Sequence, residues 1–338
     1  MEYRYIGRSG LRVSPICMGT MTFPGQCDEK EAFAILDKAY EAGVNFFDTA
    51  ELYPVPPSET LAGRTEEIVG RWLKTKPRES VILASKVAGA ASGWFVPPIR
   101  HGLTAMDRFH IERAVEGSLK RLGTDYIDLY QMHWPDTVVP IEETMRAFDA
   151  LVQSGKVRYV GTSNDTARGT MKSLMVSKYE KLSRFESIQN NFSLLNRRDL
   201  TEIAALCREE QISLLPYSPL GGGVLSGKYN QDIRAQGRFS DYVKSPNKRQ
   251  RLMAARFLND KTLASTQEYL RIAAEAGLHP VTMAIAWSKQ FDFVASTIIG
   301  ATSAAQLDDS LAAMEVTLPA ELLQKLDEVH AKILYPMG

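Results

Sequence analysis

Eight short apolar runs, at residues 16–18, 44–47, 81–85, 126–132, 157–160, 187–189, 212–215 and 294–299, alternate with stretches whose apolar positions recur at helical spacing. Runs of this length between helical segments read as buried strands, because strands of a parallel sheet are covered on both faces. Parallel neighbours need crossovers of roughly a dozen residues or more, and every interval here can hold one. The economical closure of eight such units is an α/β architecture, a (β/α)8 TIM barrel, with residues 1–338 as one domain; such barrels run to ~250 residues or more. An open doubly wound sheet is the rival. It would carry a glycine-rich phosphate loop after its first strand, and Gly19-Thr-Met-Thr-Phe23 is not one.

The remaining segments fit around that frame. Residues 1–15, with Gly7, Gly10 and Pro15, suggest a hairpin ahead of the barrel. Asp28 and Glu31 have capping-box spacing before a helix that carries Phe33, Leu36 and Tyr40 and ends at Gly43. Helices are expected near 65–73, 166–178, 199–210, 261–276, 280–290, 303–313 and 319–335. Residues 87–109 and 221–255 show no sustained period and read as long loops, which inside compact folds are usually functional.

The chemistry lies where the strands stop. The run at 44–47 leads into Asp48-Thr-Ala-Glu-Leu-Tyr53, the next ends at Lys86, the next at His133, and the next leads into Thr162-Ser-Asn164. In parallel α/β folds that edge is where sites are built. A tyrosine's ordinary pKa of about 10 is high for a proton donor near neutrality. The Lys86 ammonium would favour the phenolate and lower that value, and Asp48 would hold the ammonium in place. His133 would orient a carbonyl oxygen toward Tyr53. Each residue alone has an ordinary reading: a capping Asp, a loop-packing Tyr, a solvated Lys, a satisfied core His. Their occurrence at one edge of successive strands favours the chemical reading.

Composition narrows the class. Lys+Arg and Asp+Glu both total 40, so no electrostatic footprint points to nucleic acid or an anionic membrane. Cys17, Cys27 and Cys207 are widely spaced, which fits reduced thiols in a cytoplasmic protein and gives no metal-ligand pair. No apolar run approaches membrane-spanning length.

Read together, Asp48-x4-Tyr53, Ala84-Ser-Lys86, Gln131-Met-His133-Trp134, Gly161-Thr-Ser-Asn164, Ile188-Gln-Asn190, Tyr217-Ser-Pro-Leu220, Gly227-Lys228 and Ile298-Ile-Gly-Ala-Thr-Ser303 resemble the ordered signature set of the aldo-keto reductases. Asp48-x-Ala-Glu-x-Tyr53-Pro-Val-Pro-Pro57 and the terminal Tyr335-Pro336 are similar to the branch containing bacterial Tas-like reductases and potassium-channel β-subunits. The resemblance implies a barrel enzyme that reduces aldehydes or ketones with a nicotinamide cofactor. It makes Tyr53 the acid, Lys86 and Asp48 its tuners, and His133 the orienting group. Thr20, Met21 and Asp48 would border the cofactor, Tyr217 would stack on the nicotinamide, and Ser163, Asn164 and Gln189 would hold its carboxamide. Ser218, Pro219, Leu220, Gly222 and Lys228 would follow the pyrophosphate, and Arg238, Gly300, Thr302, Gln306 and Asp309 the adenosine end. Ser303 and Gln306 have capping-box spacing, so their helix would offer its N-terminus to a phosphate.

Two departures qualify the carry-over. Many family members have a Lys and an Arg where this chain has Gly300 and Gln306, so the expectation is NADP(H) preferred with NAD(H) usable, resting on Arg238 and on neutral donors from Thr302 and Gln306. The segment after Trp134 is also short for that branch. Trp94, Phe95 and Trp134, with Met21, would line a pocket for an apolar or aromatic carbonyl. Two alternatives remain open: a cofactor-sensing regulatory subunit with weak turnover, and a barrel hydrolase using Asp48 as nucleophile. The hydrolase lacks a second carboxylate at an adjacent strand end. Oligomeric state is not read.

Overall fold

The computed structural model describes residues 2–91, 96–235 and 237–337. Two short antiparallel strands come first, β1 (Arg4–Tyr5) and β2 (Arg12–Val13). Eight parallel strands follow: β3 (Ile16–Gly19), β4 (Phe46–Asp48), β5 (Ile82–Val87), β6 (Ile127–Met132), β7 (Val157–Ser163), β8 (Phe185–Gln189), β9 (Ser213–Leu214) and β10 (Thr297–Ile299). Their order is β10-β3-β4-β5-β6-β7-β8-β9, so chain neighbours are spatial neighbours. Parallel bridges Leu214–Val294 and Tyr217–Ile298 close the ring between β9 and β10, giving the (β/α)8 barrel.

Two apolar clusters show how the strands divide their side chains. Ile16, Met18, Phe47, Leu83 and Tyr130 face outward to the helices. Cys17, Phe46, Ala84 and Leu129 face inward and meet Ile6, Leu11 and Val13 of the hairpin, which plugs the lower end. Side chains alternate across a strand. Asp48 therefore shares the inner face with Phe46, Lys86 with Ala84, and Gln131 with Leu129. A polar layer thus lies directly above an apolar one.

The crossover helices begin where short polar side chains can cap them. The Asp28 carboxylate accepts from the Glu31 amide at 2.8 Å to open α1 (Glu29–Glu41), and Thr166 accepts from Gly169 N at 3.0 Å to open α5 (Ala167–Glu180). The intervening helices are α2 (Arg64–Leu73), α3 (Arg108–Leu122) and α4 (Ile141–Gln153), with α6 (Glu202–Glu210) after β8.

Residues 221–255 differ from expectation. They contain α7 (Lys228–Gln231), α8 (Arg238–Lys244) and the start of α9 (Lys248–Phe257). Phe239 stacks on Phe257 with centroids 4.6 Å apart and meets Tyr242 edge-on, so this segment folds on aromatic contacts it makes with itself. Four helices complete the chain, α10 (Asp260–Glu275), α11 (Pro280–Lys289), α12 (Leu307–Ala312) and α13 (Ala320–Lys332). Strand β7 runs past residue 160 to Ser163, and β10 is shorter than residues 294–299. No helix among the described residues is long and apolar enough to cross a membrane.

Candidate active site

Asp48 closes β4, Lys86 is the penultimate residue of β5, and His133 follows β6 directly, its amide donating to Val87 O at 2.9 Å. Tyr53 arrives on the turn after β4 and is 8% exposed, while Lys86 is fully buried. The Lys86 ammonium donates to Asp48 Oδ1, to Thr49 O at 2.9 Å and to the Tyr53 phenol oxygen at 3.3 Å. All three of its protons are thereby placed. The other Asp48 oxygen accepts from Gln131 Nε2 at 3.2 Å and Gln189 Nε2 at 3.0 Å. Gln131, whose role its motif alone does not show, is one of two amides that fix the carboxylate.

Burial sets the electrostatics as much as charge does. Burial disfavours the Lys86 ammonium, but Asp48 and Tyr53 more than offset this, so its pKa lies above the ordinary lysine value. For Tyr53 the expected lowering is reversed. Burial raises the phenol most, Lys86 opposes that rise without cancelling it, and Asp48 adds to it. Tyr53 is therefore a phenol, not a phenolate, across neutral pH. Burial, with the Lys86 charge second, pulls His133 well below the ordinary histidine value, so its ring is neutral. Among the described residues its buried Nδ1 has no partner and none bonds Nε2, and the ring meets Tyr53 edge-on with centroids 5.6 Å apart.

A polar shelf extends from this cluster. Tyr217 donates its hydroxyl to Asn164 Oδ1 at 2.7 Å, Asn164 Nδ2 donates to His133 O at 2.9 Å, and Ser163 Oγ donates to Gln189 O at 2.7 Å. Thr20 Oγ1 donates to Asp48 O at 2.9 Å. Beyond Tyr217, Ser218 and Gly221–Gly223 all take left-handed φ, between 55° and 95°. A β-carbon at Gly222 would lie 2.3 Å from the Phe239 ring and 2.9 Å from Arg238 Nη2. One at Gly223 would lie 3.5 Å from Lys228 Nζ. Only glycine fits, and two cations close on the loop it forms. Pro219 is buried and Leu220 packs on the core beside it. Half-buried Arg238 makes no ion pair among the described residues, and its Nη1 stands 4.0 Å from Met21 Sδ. Cations at the edge of a glycine loop, beside a flat aromatic ring and a row of amides, fit a dinucleotide with a diphosphate.

The adenosine end differs from expectation. Ser303 makes no capping bond. Gln306 Oε1 instead accepts from Thr302 N at 3.0 Å and Thr302 Oγ1 at 3.2 Å, which leaves the Gln306 amide nitrogen as the donor there. The Ala304 amide at that helix start is taken by Glu31 Oε1 at 2.6 Å, so Glu31 completes no box on its own helix and stands where a phosphate was expected. Asp309 Oδ2 lies 3.4 Å from His279 Nδ1. A β-carbon at Gly300 would meet nothing within 4 Å. Trp94 and Phe95 lie outside the described residues. Trp134 is half-buried, donates Nε1–H to Ala90 O at 2.8 Å, and has its ring 5.1 Å from His133.

Sequence reading missed the buried acids behind the site. Glu51 Oε1 accepts from Ala88 N at 2.7 Å, and both its oxygens take the Arg100 guanidinium, at 2.6 and 2.8 Å. Its own amide donates to Lys86 O at 3.3 Å. Glu51 thus splices the Tyr53 turn to the end of β5 and to the loop that follows. Fully buried Glu66 accepts from Ser85 Oγ and, at 2.7 Å, from Arg121 Nε. The one available signal was an acid between Asp48 and Tyr53 in the same short turn.

Comparison with known proteins agrees with the barrel fold. Residues 15–331 match the profile of the Aldo/keto reductase family. The Tas protein of Escherichia coli is 37% identical over 360 residues, covering 99% of both chains. An uncharacterized oxidoreductase of Bacillus subtilis, YrpG, is 35% identical, covering 97% of this chain and 96% of its own. A probable voltage-gated potassium channel subunit beta of Oryza sativa is also 35% identical, with the same coverage. The likeness thus extends across the whole barrel, and the chain belongs to the aldo/keto reductase family of oxidoreductases.

Proposed function

We propose that this protein is a cytoplasmic, NADPH-preferring reductase of aldehydes or ketones, with Tyr53 as the proton donor. The observation that carries the reading is the Lys86 ammonium, fully buried and bonded at once to Asp48 and to the Tyr53 phenol. Tyr217, Ser163, Asn164 and Gln189 would hold the nicotinamide, the glycine loop with Lys228 the diphosphate, and Arg238 with the Gln306 amide the adenosine end. When bound, the cofactor supplies a hydride to the carbonyl carbon.

The chain's own residues handle the oxygen. His133, neutral and unengaged at Nε2, donates a hydrogen bond that sets the carbonyl against Tyr53. The phenol gives its proton to the developing alkoxide. Lys86 then faces a forming phenolate, and its charge stabilises that product of proton transfer more than the starting phenol. Asp48, clamped by two glutamines, keeps the ammonium charged. Positioned acid catalysis of this kind contributes ~10²–10⁴-fold.

The test is NADPH-dependent reduction of 4-nitrobenzaldehyde by wild type and by Tyr53→Phe, with NADPH affinity followed by fluorescence. The variant should lose at least about a hundredfold in kcat and bind NADPH nearly as well. If it keeps more than about a tenth of wild-type kcat with chemistry rate-limiting, Tyr53 is not the acid. The potassium-channel relative supports a second reading, a cofactor-sensing subunit with weak turnover. Oxidised cofactor released far more slowly than the hydride is transferred would favour it.

A further inference from the structure

Gln131 is the penultimate residue of β6 and Gln189 the last of β8, with β7 between them. The inward position of β7 at that level is Gly161, paired with Gln131 in the sheet. A β-carbon there would lie 2.4 Å from Ser187 Oγ and 3.4 Å from Gln131 Cγ. The missing side chain lets the two glutamines meet across the intervening strand. Gln189 Nε2 donates to Gln131 Oε1 at 3.1 Å and to Asp48 Oδ2 at 3.0 Å, while Gln131 Nε2 donates to the same Asp48 oxygen at 3.2 Å. Gln131 is fully buried and Gln189 nearly so.

These three side chains permit one arrangement. A carboxylate held by an ammonium only accepts, so each amide must turn its NH2 toward Asp48. Gln131 Oε1 is then left facing Gln189, where it takes the second proton of that amide. Both Nε2 protons of Gln189 are thereby engaged. Rotating the amide would set its oxygen against the Asp48 carboxylate and the Gln131 carbonyl together, and burying acceptors without donors is costly. Gln189 Oε1 is thus fixed on the side away from Asp48 and Gln131.

Among the described residues that oxygen has no donor of its own. The polar shelf beside it is otherwise engaged. Asn164 Oδ1 accepts from the Tyr217 hydroxyl, and Asn164 Nδ2 divides its protons between His133 O and Ser163 Oγ. Of the amides on this shelf, Gln189 alone presents an acceptor with nothing donating to it. A carboxamide N–H is the group that fits it.

We propose that Gln131 is a positioning residue for the cofactor, locking the Gln189 amide so that Oε1 faces the carboxamide N–H of a bound nicotinamide. The assignment rests on the reductase reading above. It ties cofactor recognition to proton donation, because the carboxylate that orients both glutamines also holds Lys86.

Binding alone tests it, by calorimetry with NADP+ and with its 3-acetylpyridine analogue, which keeps the ring carbonyl group and replaces NH2 by methyl. Wild type should bind NADP+ about 5–10-fold more tightly than the analogue. Gln131→Met, close in volume, should cut that ratio by about 3–5-fold, and Gln131→Glu, which keeps an oxygen for the Gln189 amide, should restore most of it. Adenosine 2′,5′-bisphosphate, which has no nicotinamide, should bind wild type and both variants alike. A ratio unaltered by Gln131→Met overturns the proposal. So does an equal loss for both dinucleotides and the bisphosphate, which is what a merely structural glutamine would give. A further fall in ratio when Gln131→Met is added to Gln189→Met also overturns it, since Gln131 would then act by a route other than Gln189. A wild-type ratio near one, or a ratio that Gln189→Met leaves unchanged, would instead refute the placement of the nicotinamide in the reductase reading.

Discussion

Lys86→Met removes the ammonium on which the proposed mechanism depends while keeping most of the side chain's volume. Its Nζ stands 3.3 Å from the Tyr53 oxygen. At an effective dielectric near 20, unit charges at that separation interact by about 5 kcal/mol, or roughly three to four pK units. Relaxation of the site reduces this, and a rise of at least about two units in the Tyr53 pKa is expected. The sign follows from the groups present. Burial already holds the phenol above the ordinary tyrosine value, Lys86 is the main influence opposing it, and Asp48 would remain. The reductive rate of wild type should therefore hold through neutrality and fall only as the phenol ionises at alkaline pH. The variant's residual rate, ~10²–10⁴-fold lower, should persist to higher pH. Ultraviolet difference titration against Tyr53→Phe follows that phenol without needing turnover.

Stability must be separated from chemistry, because Lys86→Met also strands a buried carboxylate. Breaking one half of such a pair costs ~3–5 kcal/mol. Lys86→Met with Asp48→Asn should recover most of that stability, read by urea melts, while recovering no rate. An unchanged alkaline limb and titration in the single variant would refute the electrostatic account of Lys86. Recovery of rate in the double variant would refute its catalytic part.

Arg238→Ala should weaken NADPH binding by about 10–10²-fold and leave NADH nearly unchanged, as measured by cofactor fluorescence; equal losses would place Arg238 on a group the two cofactors share. Glu51→Ala should destabilise the fold by about 2–4 kcal/mol by leaving half-buried Arg100 unpaired, and Glu51→Ala with Arg100→Ala should restore part of it; additive losses would show that the two do not act as a pair. Burial lifts the Asp199 carboxyl to about 6, above the ~3.9 of an unfolded chain, so its contribution is complete below the unfolded value and is lost as pH rises through about 6. Asp199→Asn should therefore flatten the loss of stability between about pH 4 and 7 by about 1–3 kcal/mol, and an unaltered slope would show that Asp199 titrates normally.

The barrel was readable because its strands are apolar on both faces and short, so the runs stand out against helical spacing. Asp48, Lys86 and His133 were readable for the same reason, as they sit where those runs end. What escaped depends on contacts between distant segments. Nothing local tells that Glu31 turns from its own helix to the Ala304 amide, or that Arg100 closes on Glu51. The helices within residues 221–255 were hidden by five glycines and Pro246 and are held by the Phe239–Phe257 stack. The Tyr53 pKa was misjudged in sign because the sequence displays the neighbouring cation but not the depth of burial around it.

The hairpin plug has a consequence for the supply of protons. Beneath Lys86 lie Phe46, Ala84 and Leu129, and beneath them Ile6, Leu11 and Val13, an apolar floor between the ammonium and the lower end of the barrel. Lys86 can hand a proton to Tyr53, but being sealed itself it has no other source from which to draw one. After each turnover the phenol must be recharged from above, through the same mouth by which alcohol leaves and the next carbonyl enters. Proton uptake and substrate exchange therefore share one doorway and must take turns in it. Whatever crowds that opening, a bulky product above all, delays the proton along with the substrate.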